Sequence, residues 1–155
     1  MKVLVVDTSV VLAFYLPAER YKVQASALMR DHAANTVKLV TSTLSHYEVL
    51  NVLSRAVRGT RRGPVIDRDE ALRIVMSFRL LELEQHSVEG LERRILEIAA
   101  RYQRSGYDAS YLALAEHLGA DLITGDERLY NAVRGDLPTV QFVASYVSAD
   151  SSAKG

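Results

Sequence analysis

Short apolar runs alternate with segments of helical periodicity along this chain. The first run, residues 3–6, is continuous and rich in valine, which is typical of a strand buried on both faces of a parallel sheet. Shorter runs predict further strands over residues 39–41, 81–83, 121–124 and 140–143.

Apolar residues spaced three and four apart predict helices around these strands. They cover residues 10–16, 18–34, 44–57, 68–80, 88–104, 109–118 and 127–133. Ser42 or Thr43, Asp67 with Glu70, and Ser87 are the predicted caps of three of them. Strands that alternate with helices imply a mainly parallel sheet with right-handed crossovers. The predicted fold class is therefore α/β, with three layers in the order α/β/α.

Three apolar surfaces can be predicted from the same pattern. The third helix is expected to bury Leu44, Tyr47, Leu50 and Val57, and the fourth Leu72, Val75, Met76 and Leu80. The early segment AFYLPAERY contains more aromatic residues than a solvated helix end needs. Either core packing or a protein partner would explain its apolar side chains, which are Phe14, Tyr15, Leu16 and Tyr21.

Composition narrows the class of protein. A chain of 155 residues suits one domain with a core, and we expect residues 1–146 to form it and residues 147–155 to be a disordered tail. Its 19 basic and 19 acidic residues cancel, so overall charge gives no support for nucleic-acid binding. The absence of cysteine excludes thiolate metal sites and thiol nucleophiles, and fits a cytoplasmic protein. No apolar run approaches the ~20 residues that cross a bilayer, so no membrane association is expected.

Four acidic residues stand where the predicted strands end or on the helices that follow. They are Asp7, Glu48, Asp108 and Asp126. In open α/β sheets the carboxyl ends of the strands collect functional groups, so this topology can bring all four to one edge. Carboxylates at close range repel, and a divalent cation with oxygen ligands, Mg²⁺ or Mn²⁺, would relieve the repulsion. Such sites are typical of phosphodiester cleavage.

Three of the four acids, taken alone, have an ordinary structural explanation. Asp108 can serve as a helix cap and Asp126 as a turn residue. Glu48 can be a solvated helix residue, whereas Asp7, directly after a buried strand, would be costly if unpaired. The prediction of a site therefore depends on the set of four.

The motifs around these acids resemble those of a known family. VVDTSVVLAFYL, HYEVLNVL, YDASYLALAE and LITGDERLYNAV are similar to the motifs of PIN domains, most of all the VapC type, the toxins of type II toxin–antitoxin pairs. The resemblance extends from residue 3 to about residue 143. It implies a PIN-like nuclease domain that hydrolyses RNA with one or two Mg²⁺ or Mn²⁺ ions. It also implies an antitoxin protein as partner and a homodimer.

The resemblance also implies roles for individual residues. The family's four acids correspond to Asp7, Glu48, Asp108 and Asp126, as catalytic residues and metal ligands. Its supporting hydroxyl corresponds to Thr124, and its polar neighbour to Asn51, which shares a helix face with Glu48. Thr8 and Ser9 either donate to Asp7 or a phosphate, or cap the first helix, and capping is favoured for Ser9.

A basic, glycine-rich loop follows the helix that carries Glu48. Its arginines either are solvated or bind the RNA backbone, since guanidinium groups pair with phosphates bidentately. The candidate RNA-binding residues are Arg58, Arg61 and Arg62.

Other classes with similar folds fit less well. A haloacid-dehalogenase-type phosphatase needs an aspartate where Ser9 stands, and a receiver domain needs an acidic pair at the first strand. A GTPase or dinucleotide-binding fold needs a glycine-rich turn after that strand, and DTSVV contains no glycine. A housekeeping RNA-processing nuclease and a non-catalytic binding module both remain open alternatives.

Overall fold

A computed structural model describes residues 1–17, 19–60 and 65–148. The strands are β1 (Lys2–Val6), β2 (Val37–Ser42), β3 (Glu84–His86), β4 (Asp121–Thr124) and β5 (Val140–Phe142). The helices are α1 (Thr8–Tyr15), α2 (Lys22–Ala33), α3 (Leu44–Arg58), α4 (Arg68–Leu80), α5 (Glu92–Tyr102), α6 (Gly106–Leu118) and α7 (Glu127–Val133), and a 3₁₀ turn spans Val143–Ser145. None of the helices within these described ranges is long and apolar enough to span a bilayer.

All five strands are parallel, in the order β3-β2-β1-β4-β5. Successive side chains of β1 point to opposite faces, so Leu4 and Val6 join one core cluster and Val5 joins the other. The first cluster packs against α1 to α4, and the second against α5 to α7. The prediction of an α/β fold with three layers is confirmed.

The central position of β1 determines where functional groups can collect. Val6 pairs with Ile123 of β4, and the backbone N–H of Asp7 donates to the Ile123 carbonyl at 3.4 Å. The residues that follow β1 and β4 therefore lie side by side at the carboxyl edge of the sheet.

Several predicted boundaries are wrong. The third strand is Glu84–His86 instead of residues 81–83, and α2 begins at Lys22. The fifth helix begins at Glu92 because Ser87 caps only a turn, where its hydroxyl accepts from Glu89 N at 3.1 Å. Asp67 does cap α4, accepting from Glu70 N at 2.7 Å.

The predicted buried faces of α3 and α4 are wrong in part, because Val57 and Val75 pack against the core whereas most of the larger predicted residues are exposed. Tyr47 and Leu50 are 72% and 41% exposed, and Leu80 is 79% exposed. The buried stripe of each helix is displaced around its axis from the predicted one, so that Leu53, Ile74 and Phe78 face the core. The residues actually buried are Ser45, Val49, Leu53 and Ala56 on α3, and Ala71, Ile74 and Phe78 on α4.

The aromatic residues of the early segment pack largely within the chain. Leu16 is buried, and Tyr15 lies edge-on to Phe14 with ring centroids 4.8 Å apart. The Tyr21 ring packs against Phe142 at 4.9 Å. Core packing therefore accounts for most of this surface.

Candidate active site

All four predicted acids line one cavity of about 410 Å³ at the carboxyl edge of the sheet. Asp7 follows β1, and Asp126 stands two residues beyond β4. Glu48 and Asp108 lie near the N-terminal ends of α3 and α6. The cavity is lined by Asp7, Thr8, Ser9, Leu12, Tyr47, Glu48, Asn51, Val52, Arg55, Tyr107, Asp108, Tyr111 and Asp126.

Asp7 is buried and its carboxylate is held at both oxygens. Oδ1 accepts from Ser9 N at 3.1 Å, from Ser9 Oγ and from Val10 N at 3.4 Å. Oδ2 accepts from Thr124 Oγ1 at 2.5 Å. Burial raises the pKa of Asp7 to about 6, against the lowering effect of these donors.

The N-cap of α1 is therefore Asp7 and not Ser9. Ser9 instead connects two strand ends, because its hydroxyl donates to Asp7 and accepts from Gly125 N at 2.7 Å. A Cβ on Gly125 would lie 3.2 Å from Ser9 Oγ, which explains why glycine suits this position. Thr124 Oγ1 also accepts from Asp126 N at 3.0 Å, so this hydroxyl links two of the acids.

Glu48 is held by a tyrosine that sequence reasoning missed. Tyr111 OH donates to Glu48 Oε1 at 2.8 Å and lies 3.0 Å from Thr8 Oγ1, which itself reaches Glu48 Oε1 at 3.4 Å. Burial, with a smaller effect from Asp108, raises the pKa of Glu48 against these donors. The available signal was spacing, since Tyr111 stands three residues after Asp108 and one helical turn away.

Asp108 and Asp126 complete the set. Ser105 caps α6 by accepting from Asp108 N at 3.1 Å, which places the Asp108 side chain in the first turn. Burial, followed by the charge of Asp126, raises the pKa of Asp108, while Arg104 lowers it. Asp126 caps α7, its Oδ1 accepting from Arg128 N and Leu129 N at 3.0 and 3.1 Å.

The cavity concentrates negative charge, and Arg55 is the one basic side chain among the described residues that line it. Within residues 1–17, 19–60 and 65–148, none of the four acids forms an ion pair with a basic side chain. Burial is the main cause of the raised pKa values of Asp7, Glu48 and Asp108, and repulsion from a neighbouring acid adds to each of them. A cation in this cavity would relieve it.

The donor set fits Mg²⁺ or Mn²⁺ bound partly through water. No three carboxylate or histidine side chains in the described part of the chain converge closely enough to coordinate one ion by themselves. Mg²⁺ prefers hard oxygen ligands and keeps several waters, so one or two carboxylates are enough to bind it. The open, oxygen-lined cavity offers such carboxylates and room for the waters.

Two neighbours of Glu48 on α3 also reach the cavity. Asn51 lines it, as its i, i+3 spacing from Glu48 predicts, and Arg55 lines it one turn further on. Sequence reasoning missed Arg55, although its spacing of seven residues from Glu48 was the available signal. Arg58 lines a separate apolar groove between α3 and α4, and its Nε donates to Ser54 O at 3.3 Å. Arg61 and Arg62 lie outside the described residues.

The chain is similar to known proteins over most of its length. The PIN-domain family model matches residues 4–135. Ribonuclease VapC3 of Pyrobaculum aerophilum is 32% identical over 130 residues, covering 81% of this chain and 91% of that protein. Ribonuclease VapC9 of Mycobacterium tuberculosis is 35% identical over 135 residues, covering 87% and 94%. The crystal structure of PAE2754 from Pyrobaculum aerophilum matches the fold with a TM-score of 0.67 and 23% identity, over 92% of this chain and 91% of that one. The chain therefore belongs to the PIN-domain family and is of the VapC type.

Proposed function

We propose that this protein is a metal-dependent endoribonuclease that acts as the toxin of a toxin–antitoxin pair. The observation that carries the proposal is the cluster of four carboxylates in one open cavity, none of which forms an ion pair within the described residues. Relatives named as VapC ribonucleases cover most of the chain and support RNA as the substrate.

Asp7 and Asp108 are the residues that would hold the ion directly. Glu48 and Asp126 would complete its surroundings directly or through water. When bound, Mg²⁺ or Mn²⁺ acidifies a water and neutralises charge that develops on the phosphate. The two hydroxyl groups on Asp7, from Ser9 and Thr124, fix the orientation of that carboxylate before the ion arrives.

Glu48 is suited to receive a proton from the attacking water. Tyr111 and Thr8 both donate to Oε1, which leaves Oε2 available as a proton acceptor. Burial raises the pKa of Glu48 toward neutral pH, and a general base is most effective when its pKa lies near the working pH. The water would then attack phosphorus, the P–O bond to the neighbouring ribose would break, and the leaving ribose oxygen would take up a proton from solvent.

An antitoxin would act on the same cavity. A basic side chain placed among the four acids would relieve their repulsion in the way that a cation does, and would exclude both ion and substrate. This complex and a homodimer are part of the proposal, supported by the VapC type of the chain.

Cleavage of a mixed pool of structured RNA tests the proposal. Purified, antitoxin-free protein is assayed with Mg²⁺, Mn²⁺ or EDTA, beside Asp7→Asn and the control Asp136→Asn. Asp136 is an exposed aspartate that pairs with Arg101 away from the cavity. The wild type and Asp136→Asn are expected to cut RNA with either metal. No cleavage is expected in EDTA, and none is expected from Asp7→Asn with either metal.

Two results would contradict the proposal. Cleavage that persists in EDTA would remove the role of the metal. A folded wild-type protein that cuts no RNA with either ion would favour a non-catalytic binding module.

A further inference from the structure

Two tyrosine rings border the acidic cavity and lie mostly in solvent. Tyr47 is 72% exposed and Tyr107 is 60% exposed, and both line the cavity. Each ring immediately precedes one of the acids, Glu48 on α3 and Asp108 on α6. The rings are thus presented from two different helices at one opening.

Folding does not account for these rings. Neither belongs to the two core clusters, and neither hydroxyl has a hydrogen-bond partner within the described residues. Tyr47 has an edge-on contact with His46, with ring centroids 5.9 Å apart, which leaves most of its surface free. Tyr111, on the same helix as Tyr107, shows the contrast, because it is buried and bonded to Glu48.

Exposed aromatic faces beside a phosphodiester-cleaving site match one chemistry. Nucleobases stack on tyrosine rings, and they can do so only when they are unpaired. Arg55 lines the same cavity and carries a charge complementary to the RNA phosphates. We propose that Tyr47 and Tyr107 form a stacking platform for unpaired bases next to the scissile phosphate.

The inference rests on the proposed nuclease function and adds to it two residues that hold the bases of the RNA. The two tyrosines are specificity residues, because they contact bases and not the reacting atoms. Bases inside a duplex stack on each other and offer no free face, so a paired RNA would gain nothing from the platform.

Matched variants test the platform. Tyr47→Ala and Tyr107→Ala remove a ring, Tyr47→Phe and Tyr107→Phe keep the stacking face, and Leu96→Ala removes an exposed apolar side chain far from the cavity. Cleavage of a single-stranded RNA with Mn²⁺ is measured for each, with KM and kcat separated. Each alanine variant is expected to raise KM about 5- to 150-fold, each phenylalanine variant to raise it far less because the stacking face remains, and Leu96→Ala to leave it unchanged.

A base-free substrate makes the test specific. Once the wild-type cut is mapped, the same RNA is made with abasic residues on both sides of it. The wild type is expected to cut this RNA with a raised KM, and the alanine variants should add no further loss. Equal KM values for wild type and alanine variants on the intact RNA would overturn the platform and leave the rings to a protein partner.

RNA binding, measured by fluorescence anisotropy on the same variants, separates this inference from the nuclease proposal. A wild type that binds single-stranded RNA but cuts none, with weaker binding in the alanine variants, would retain the platform and refute the nuclease. A wild type that neither binds nor cuts would refute both.

Discussion

Asp7 is the residue at which folding and function conflict most directly. Its carboxylate is buried and accepts from Ser9, Val10 and Thr124, yet burial still raises its pKa to about 6. The fold therefore prefers the protonated, uncharged form, whereas a metal ligand must be ionised. In the absence of a cation, the ionised form lowers the stability of the protein.

This conflict predicts that Asp7→Asn stabilises the metal-free protein at neutral pH. A raised pKa means that the stability from protonated Asp7 is fully present below about pH 4 and is lost as pH rises through about 6. The loss is at most about 3 kcal/mol, and we expect Asn to recover about 1–2 kcal/mol. Thermal denaturation in EDTA at pH 5 and pH 8 should show a gain in Tm that is larger at pH 8. A lower Tm for Asp7→Asn at pH 8 would contradict this.

Tyr111→Phe tests the positioning of Glu48. Without the hydroxyl, Glu48 Oε1 keeps only the longer bond from Thr8, and the loss of a donor to the carboxylate raises its pKa further. We expect kcat to fall about 10-fold and the acidic limb of the pH–rate profile to move to higher pH. Tyr102→Phe, on α5 and away from the cavity, is the control. An unshifted acidic limb in Tyr111→Phe would indicate a merely structural role.

At the scale of elements, two adjacent strands and two helices assemble the site. The pairing of β1 with β4 brings Asp7 and Thr124 together, and the early turns of α3 and α6 add Glu48 and Asp108. The parallel sheet thus brings together residues that are far apart in the chain.

The topology of the sheet determined which residues of the site could be predicted from sequence. The acids at strand ends were predictable because topology alone carries residues there to one edge. The buried faces of α3 and α4 were predictable only in part, because each helix has apolar residues on more than one face and the packing of the neighbouring elements decides which face is covered. Tyr111 and Arg55 were missed because each looked like an ordinary helix residue until its neighbours across the cavity were known.

The placement of arginines along α3 yields a paired prediction. Arg55 lines the cavity, whereas Arg58, one turn on, lines the apolar groove. If Arg55 contacts an RNA phosphate, Arg55→Ala should weaken binding across RNA sequences and reduce the salt slope by about one. Arg58→Ala should change both quantities less. RNA-binding isotherms over a series of salt concentrations measure this, and a larger effect of Arg58→Ala would reverse the assignment.

At the scale of the whole molecule, charge balance conceals a local imbalance. The 19 basic and 19 acidic residues cancel, yet the described part of the chain places four acids in one cavity with a single lining arginine. Such a cavity would repel RNA until a cation neutralised it, so we expect ion and substrate binding to be coupled. Overall charge is therefore a poor guide to the substrate, and the placement of the four acids and Arg55 in the cavity is a better one.

We propose above all that the four carboxylates form a site for a divalent cation. Isothermal titration calorimetry of Mn²⁺ into metal-depleted wild type, Asp7→Asn and Asp136→Asn tests it most directly. The wild type and Asp136→Asn are expected to bind Mn²⁺, and Asp7→Asn is expected to bind it at least roughly 10-fold more weakly. No Mn²⁺ binding by folded wild type, or equal affinities in wild type and Asp7→Asn, would contradict it.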